Sequence, residues 1–220
     1  MTDQPALRRV RIQRPGGYRR LQLERFAPPA PGPGQVRVRT RASGVNFADG
    51  LVRMGVYAPA RRYVGWPITP GFELAGEVDA VGEGLDPAIW QGCPVLALTR
   101  FGAYAEAVVV DAAYTRPLPA GWSMAEGAAM PVNALTARHA LRLADAPAGA
   151  DVLVLAAAGG VGHWLVQLAH AAGLRVTGVV GHAAKVDAVL GLGAACCLVR
   201  GEAAERRDPT LYQAVFDAQG

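Results

Sequence analysis

Residues 151–172, DVLVLAAAGGVGHWLVQLAHAA, carry the clearest chemical signal in this 220-residue chain. Val152–Leu155 is a short apolar run that reads as a buried strand. A small-residue turn follows from Ala156 to Gly162, then a helix with Val161, Leu165, Leu168, Ala169 and Ala172 on one face. Gly173 stops the helix and Leu174–Val180 reads as a second strand. In such a βαβ unit the glycines sit at the strand-to-helix turn, where free backbone N–H groups can receive a pyrophosphate. The pattern is Ala157-x-Gly159-x-x-Gly162, with alanine in place of the first glycine of G-x-G-x-x-G. Ala158, Gly159, Gly160, Val161 and Gly162 are the expected phosphate turn. The competing explanation is a Gly/Ala-rich turn of any α/β protein. The strand, turn, helix, strand setting favours the dinucleotide.

The elements that must position this turn change character along the chain. Arg8–Gln13 and Arg19–Glu24 flank Pro15-Gly16-Gly17, a hairpin signal. Pro28 to Gly34 is a proline loop, and Gln35–Thr40 alternates as a half-buried strand does. Residues 42–57 turn partly helical, and 67–81 read as a turn and then a strand. Cys93–Leu98 and Tyr104–Val110 are further strands, so residues 1–115 read as a small barrel or sandwich. Ser123–Met130, opened by a Ser123/Glu126 capping box, and Ala134–Ala144 read as helices. Strand and helix then alternate through Ala183–Leu192, Ala195–Val199, a charged segment and Ala214–Asp217, the mark of parallel α/β winding. The expected boundary places residues 1–122 in one domain and 123–220 in the other.

Composition excludes several classes. The hydrophobic fraction of 51% is ample for a core, and no run is apolar and long enough to span a bilayer. The N-terminus MTDQPALRRV has no apolar signal core, which points to a cytoplasmic protein. Net charge is +4, with Lys185 as the single lysine against 21 arginines. Arg8, Arg9, Arg11, Arg14, Arg19 and Arg20 alternate with apolar residues and turn glycines, a solvated strand face rather than a nucleic-acid stripe. Cys93, Cys196 and Cys197 support neither a disulfide framework nor a four-ligand zinc site. His163 and His170 lie about 10 Å apart along one helix, too far to share a metal, and belong on its wet face.

A β-rich domain leading into a Rossmann unit resembles the medium-chain dehydrogenase/reductase superfamily. The resemblance is carried by SGVNFAD (Ser43–Asp49), RMGVY (Arg53–Tyr57), TPGFELAGEV (Thr69–Val78) and VGEG (Val81–Gly84). It continues through FGAYAEAVVV (Phe101–Val110), NALTA (Asn133–Ala137), AAAGGVG (Ala156–Gly162) and LGA (Leu192–Ala194). It is nearest to the zinc-free branch of quinone oxidoreductase-like and enoyl reductase-like proteins. Zinc-dependent members place a cysteine in the segment here read Gly44-Val45-Asn46 and a histidine in GHE, here Gly71-Phe72-Glu73. Neither ligand is present, and neither is their four-cysteine lobe. The resemblance thus implies a GroES-like β-barrel catalytic domain, then a partial doubly wound Rossmann sheet, with no zinc.

Further expectations follow for the site. NAD specificity usually needs an acid after the second strand. Val179-Val180-Gly181-His182 holds none, and Asp187 lies further on, inside the next helix. Gly181 and Lys185 instead match the family's G-x-x-x-K segment that meets a 2′-phosphate, so the expected cofactor is NADPH. Arg200 falls where relatives often put a tyrosine near that phosphate; a phosphate fork and an ordinary surface arginine both remain open. Asn46 and Thr136 match polar positions facing the nicotinamide and substrate; alone, each would read as a local turn or helix residue. Tyr57 matches a tyrosine of the substrate cleft, able to steady an acceptor oxygen or donate a proton, which water could equally supply. Asp49 and Arg53 read as structural.

The implied reaction passes hydride from NADPH, its ring in the cleft between domains, to a quinone or to the β-carbon of an enone or enoyl thioester. The implied partner is therefore a small-molecule quinone or α,β-unsaturated carbonyl. Family members continue past FDxVGG, here Phe216-Asp217-Ala218-Gln219-Gly220, and their further part completes the sheet and supplies much of a homodimer contact. An incomplete sequence, a truncated relative and a split protein are three expectations consistent with that ending. The alternative function is a non-catalytic remnant or interaction protein that keeps the fold.

Overall fold

The structure, a computed structural model, describes residues 6–27, 29–203 and 211–218. Residues 1–5, Pro28 of the proline loop, most of the charged segment (204–210) and Gln219-Gly220 lie outside the described residues. The strands are β1 (Leu7–Ile12), β2 (Leu21–Phe26), β3 (Gln35–Ser43), β4 (Glu73–Val81), β5 (Pro94–Leu98), β6 (Ala107–Asp111) and β7 (Thr115–Pro117), then β8 (Asp151–Val154), β9 (Arg175–Val180), β10 (Cys196–Val199) and β11 (Ala214–Phe216). The α-helices are α1 (Phe47–Met54), α2 (Ala58–Tyr63), α3 (Pro87–Trp90), α4 (Met124–Ala129) and α5 (Pro131–Ala144), then α6 (Gly160–Ala171), α7 (Val186–Gly191) and α8 (Arg200–Ala203). The chain divides into two compact units, Met1–Val132 and Asn133–Gly220.

In the first unit an antiparallel sheet runs β6-β3-β4-β5-β7, and β1 and β2 form a separate antiparallel hairpin. Alternation in β3 and β4 dictates its faces. Val36, Val38, Leu74 and Val78 point into a core shared with Val95, Val108 and Val110. Ala75 and Leu96 point the other way and are buried with Ala128 of α4. That second face explains where the division falls. α4 covers β4, with Gly127 so close to Leu118 that a Cβ would lie 2.3 Å from its Cδ1. The first unit therefore keeps α4, ten residues beyond the boundary expected from sequence. The Ser123/Glu126 capping box that opens α4 is present. Arg19 and Arg20 fall in a short 3₁₀ turn before β2, while Arg9 and Arg11 both pair with Glu24 across the hairpin.

Asp49 ties this unit together from within. Its buried carboxylate accepts from the Asn46 N–H (2.9 Å), the Gly71 N–H (3.0 Å) and the Tyr104 hydroxyl (3.0 Å). One side chain thus joins the start of α1, the turn before β4 and the bend before β6. Burial pushes its carboxyl above the usual range, while those bonds pull the other way. Burial, and then the Asp49 charge, push the Tyr104 phenol upward. Arg53, buried on the same helix, donates to the Gly16 carbonyl and stacks on Tyr18 at 4.2 Å, in the structural role expected of it.

In the second unit a parallel sheet runs β10-β9-β8-β11, the 3-2-1-4 order of a partial doubly wound sheet. Val152, Val154, Val176 and Val180 meet Leu165, Val166 and Ala169 of α6 in its core. The expected helical face is corrected at one position: Ala172 is exposed past the end of α6, and Val166 is buried instead. The core needs the residue one turn before Ala169, and by Ala172 the chain is already turning into Gly173, at φ +78°. Gly162 decides how closely α6 can approach the sheet, since a Cβ there would lie 2.1 Å from the Ala156 carbonyl oxygen. Among the described residues no helix is long and apolar enough to cross a membrane.

Two outcomes follow. Gly162→Ala forces backbone apart and should cost about 1–3 kcal/mol, read as a Tm drop of roughly 2–4 °C per kcal/mol; an unchanged Tm would contradict the close approach. Asp49 supplies a pH signature. An acid whose folded pKa lies above its unfolded value, about 3.9 for Asp, stabilises fully below that value and loses stabilisation as pH rises through the folded pKa. The Tm advantage of the wild type over Asp49→Asn should therefore narrow between pH 4 and pH 7, and a widening gap would refute the assignment.

Candidate active site

The phosphate turn is built by the end of β8 and the start of α6. The Ala157 N–H donates to Val179 O at 3.0 Å, fastening the turn to β9, and the Gly159 N–H donates to Ala156 O at 2.8 Å. Ala156 holds φ +50°, a conformation that tightens the turn. Gly159 is the N-cap of α6, in extended geometry, and its carbonyl receives the first helical bond, from His163 N–H at 3.0 Å. The N–H groups of Gly160, Val161 and Gly162 precede that bond and have no acceptor inside the helix. Gly159 and Gly160 are exposed. His163 is half-buried, its Nδ1 2.9 Å from Gly159 O, while His170 is exposed.

The register of the parallel strands gathers the remaining cofactor candidates at the same carboxyl edge. Val199 pairs with Val180, so Arg200 and Gly181 follow side by side. Gly181 has open space where a side chain would point. The His182 Nδ1 accepts from Ala184 N–H at 3.1 Å and starts the short 3₁₀ turn that ends in Lys185. Lys185 and Arg200 are exposed, and neither forms an ion pair among the described residues. A closed turn with free N–H groups, open space past β9 and two unpaired cations fit a phosphorylated dinucleotide. Thr136 lies exposed on α5, also in the second unit.

Asn46 and Tyr57 belong to the first unit. Asn46 is the N-cap of α1, set between exposed Val45 and Phe47. Its Nδ2 donates to Glu73 Oε1 at 2.7 Å, and the Val132 N–H donates to Glu73 Oε2, also at 2.7 Å. Glu73 has no exposed surface. Burial pushes its carboxyl upward, the bonds from Val132 and Asn46 oppose this, and the Asp49 charge adds to the rise. Tyr57 caps α2, with its ring edge-on to Phe72 at 5.8 Å and Phe101 at 6.4 Å. Phe72 and Phe101 are themselves 5.4 Å apart, so the residue at the expected histidine position is one wall of an aromatic trio. Among the described residues no group of three His, Cys, Asp or Glu side chains is placed to hold a metal.

Sequence reasoning did not single out Glu73 or Tyr104. Their partners lie 27 to 59 residues away and share no spacing with them. The signal available for Glu73 was an ionisable residue set within the short apolar run Phe72-Glu73-Leu74-Ala75.

Comparison with known proteins agrees with this architecture. Residues 32–120 match the alcohol dehydrogenase GroES-like domain. The human synaptic vesicle membrane protein VAT-1 homolog is 44% identical over 156 residues, covering 70% of this chain and 39% of that protein. The quinone oxidoreductase of Thermus thermophilus, solved also in complex with NADPH, is 38% identical, with a TM-score of 0.75 over 90% of this chain and 62% of that one. The CurK enoyl reductase is 28% identical, with a TM-score of 0.81 over 88% and 60%. The chain spans between 4% and 40% of the length of the curated relatives it matches. With the GroES-like sheet, the 3-2-1-4 parallel sheet and its glycine turn in place, the chain belongs to the medium-chain dehydrogenase/reductase superfamily, alongside its quinone oxidoreductases and enoyl reductases.

Proposed function

We propose that this chain is part of an NADPH-dependent reductase that acts on a quinone or an α,β-unsaturated carbonyl without catalytic zinc. The observation that carries the reading is the convergence, at one edge of the parallel sheet, of the Gly159–Gly162 turn with Gly181, Lys185 and Arg200. A solved neighbour in complex with NADPH supports it.

In this reading the turn from Ala158 to Gly162 holds the pyrophosphate, through the free N–H groups of Gly160, Val161 and Gly162, with Gly159 leaving room for its approach. The absence of an acid at the end of β9 removes the partner a free 2′-hydroxyl would need, while Lys185 and Arg200 supply charge for a 2′-phosphate. NADPH, when bound, supplies a hydride. Asn46 and Thr136 orient its nicotinamide end, and the exposed Val45 and Phe47 beside Asn46 exclude water from the acceptor. Tyr57 faces the acceptor oxygen and holds a proton for it; water is the other source. The aromatic trio of Tyr57, Phe72 and Phe101 suits a flat, conjugated acceptor. Phe72 offers no ligand atom, so polarisation of the acceptor falls to hydrogen bonds.

Fluorescence titration tests the cofactor. Lys185→Ala should weaken NADPH by about tenfold or more, the scale of a charge-assisted hydrogen bond, and leave NADH unchanged; equal losses for both would remove Lys185 from the 2′-phosphate. Turnover on quinones and enones is expected to survive prolonged chelation. NADPH binding without turnover on any of these acceptors would favour a non-catalytic remnant.

A further inference from the structure

Asn46 is held at both ends. Its main-chain N–H is fixed by Asp49 Oδ2 at 2.9 Å, and its side-chain Nδ2 by Glu73 Oε1 at 2.7 Å. The carboxylate that holds it cannot move away. Its other oxygen is taken by the Val132 N–H, and the backbone of Gly44 passes so close that a Cβ there would lie 2.3 Å from Oε1. The opposite wall at Gly44 is the Ala128 carbonyl, 2.5 Å from the same Cβ position. A carboxylate is an acceptor only, so it selects the NH2 end of the amide and turns the carbonyl end toward the first turn of α1, where Oδ1 faces the Asp49 N–H in the capping box and keeps a second lone pair for a ligand.

We infer that Glu73 is the positioning residue of Asn46: it fixes the amide with its nitrogen inward, so that Asn46 meets its ligand as a hydrogen-bond acceptor through Oδ1. This rests on the NADPH reading above. It narrows what Asn46 can touch to a donor group, a ribose hydroxyl or the carboxamide NH2 of the nicotinamide end. It excludes Asn46 as the group that polarises the acceptor's carbonyl oxygen, and leaves that role to Tyr57 or water.

A double-mutant cycle on the full chain, read as NADPH dissociation constants, tests it. Glu73→Gln is nearly isosteric, but its oxygen is needed by the Val132 N–H, which leaves an NH2 facing Asn46 and drives the amide to flip. Glu73→Gln and Asn46→Ala should each weaken NADPH by about tenfold, the scale of one hydrogen bond. The double variant should be no weaker than Asn46→Ala alone. Losses that multiply, or a Glu73→Gln chain that binds as wild type does, would overturn the inference and leave the cofactor reading standing. A wild-type chain that binds no NADPH would overturn both.

Should Glu73→Gln fail to fold, the wild type gives a second measurement. The Asn46 side-chain NH2 signals, identified in nuclear magnetic resonance spectra by their loss in Asn46→Ala, should exchange slowly with solvent with and without NADPH. Signals that become protected only when NADPH is added would mean that the nitrogen meets the ligand, and would overturn the inference.

Discussion

A carboxylate taken fully out of water costs several kcal/mol unless donors inside the protein meet it. Glu73 is in that position, and the first unit is arranged around supplying those donors. One comes from the side chain of Asn46 at the start of α1, the other from the backbone of Val132 at the start of α5. The loop that brings Asn46 into reach must pass over the carboxylate, and it does so at Gly44, where no side chain fits. Asp49 repeats the arrangement one turn along α1, collecting donors from Asn46, Gly71 and Tyr104. Two acids that an apolar sheet would ordinarily exclude thus bind together the segments that surround Asn46.

The second unit depends on a different constraint, the approach of one backbone to another. The Ala156 carbonyl fills the space a side chain at Gly162 would take, so the first turn of α6 lies directly on the end of β8. Parallel pairing then aligns the ends of β8, β9 and β10, and charge placed after any of them reaches the same edge. The geometry of the phosphate turn and the position of the cations therefore share one origin in strand register.

Much of this was legible in the sequence. The glycine turn and the capping box of α4 depend on neighbours a few residues apart, and periodicity reports such neighbours directly, while the doubly wound sheet came from the family resemblance. Other features were not legible because they depend on contacts across the fold. Whether α4 belongs to the first or second unit is decided by Ala75 and Leu96 on the far face of the sheet. Val166 rather than Ala172 enters the core because α6 ends where the chain must turn at Gly173. α2 and α3 are short helices opened by Pro59 and Pro87 near their first positions, and they present no repeat long enough to register. Glu73 read as one acid among 18 acidic residues until its two partners were in place.

The aromatic trio has a consequence for which substitutions this region tolerates. Phe72 is tied edge-on to Tyr57 and tilted against Phe101, contacts each worth about 0.5–1.5 kcal/mol beyond the area they bury. Replacing Phe72 by histidine would surrender the geometry of both contacts, while the Gly44–Asn46 segment is already committed to Glu73 and Asp49. Packing and hydrogen bonding thus hold these two segments to the side chains they now carry.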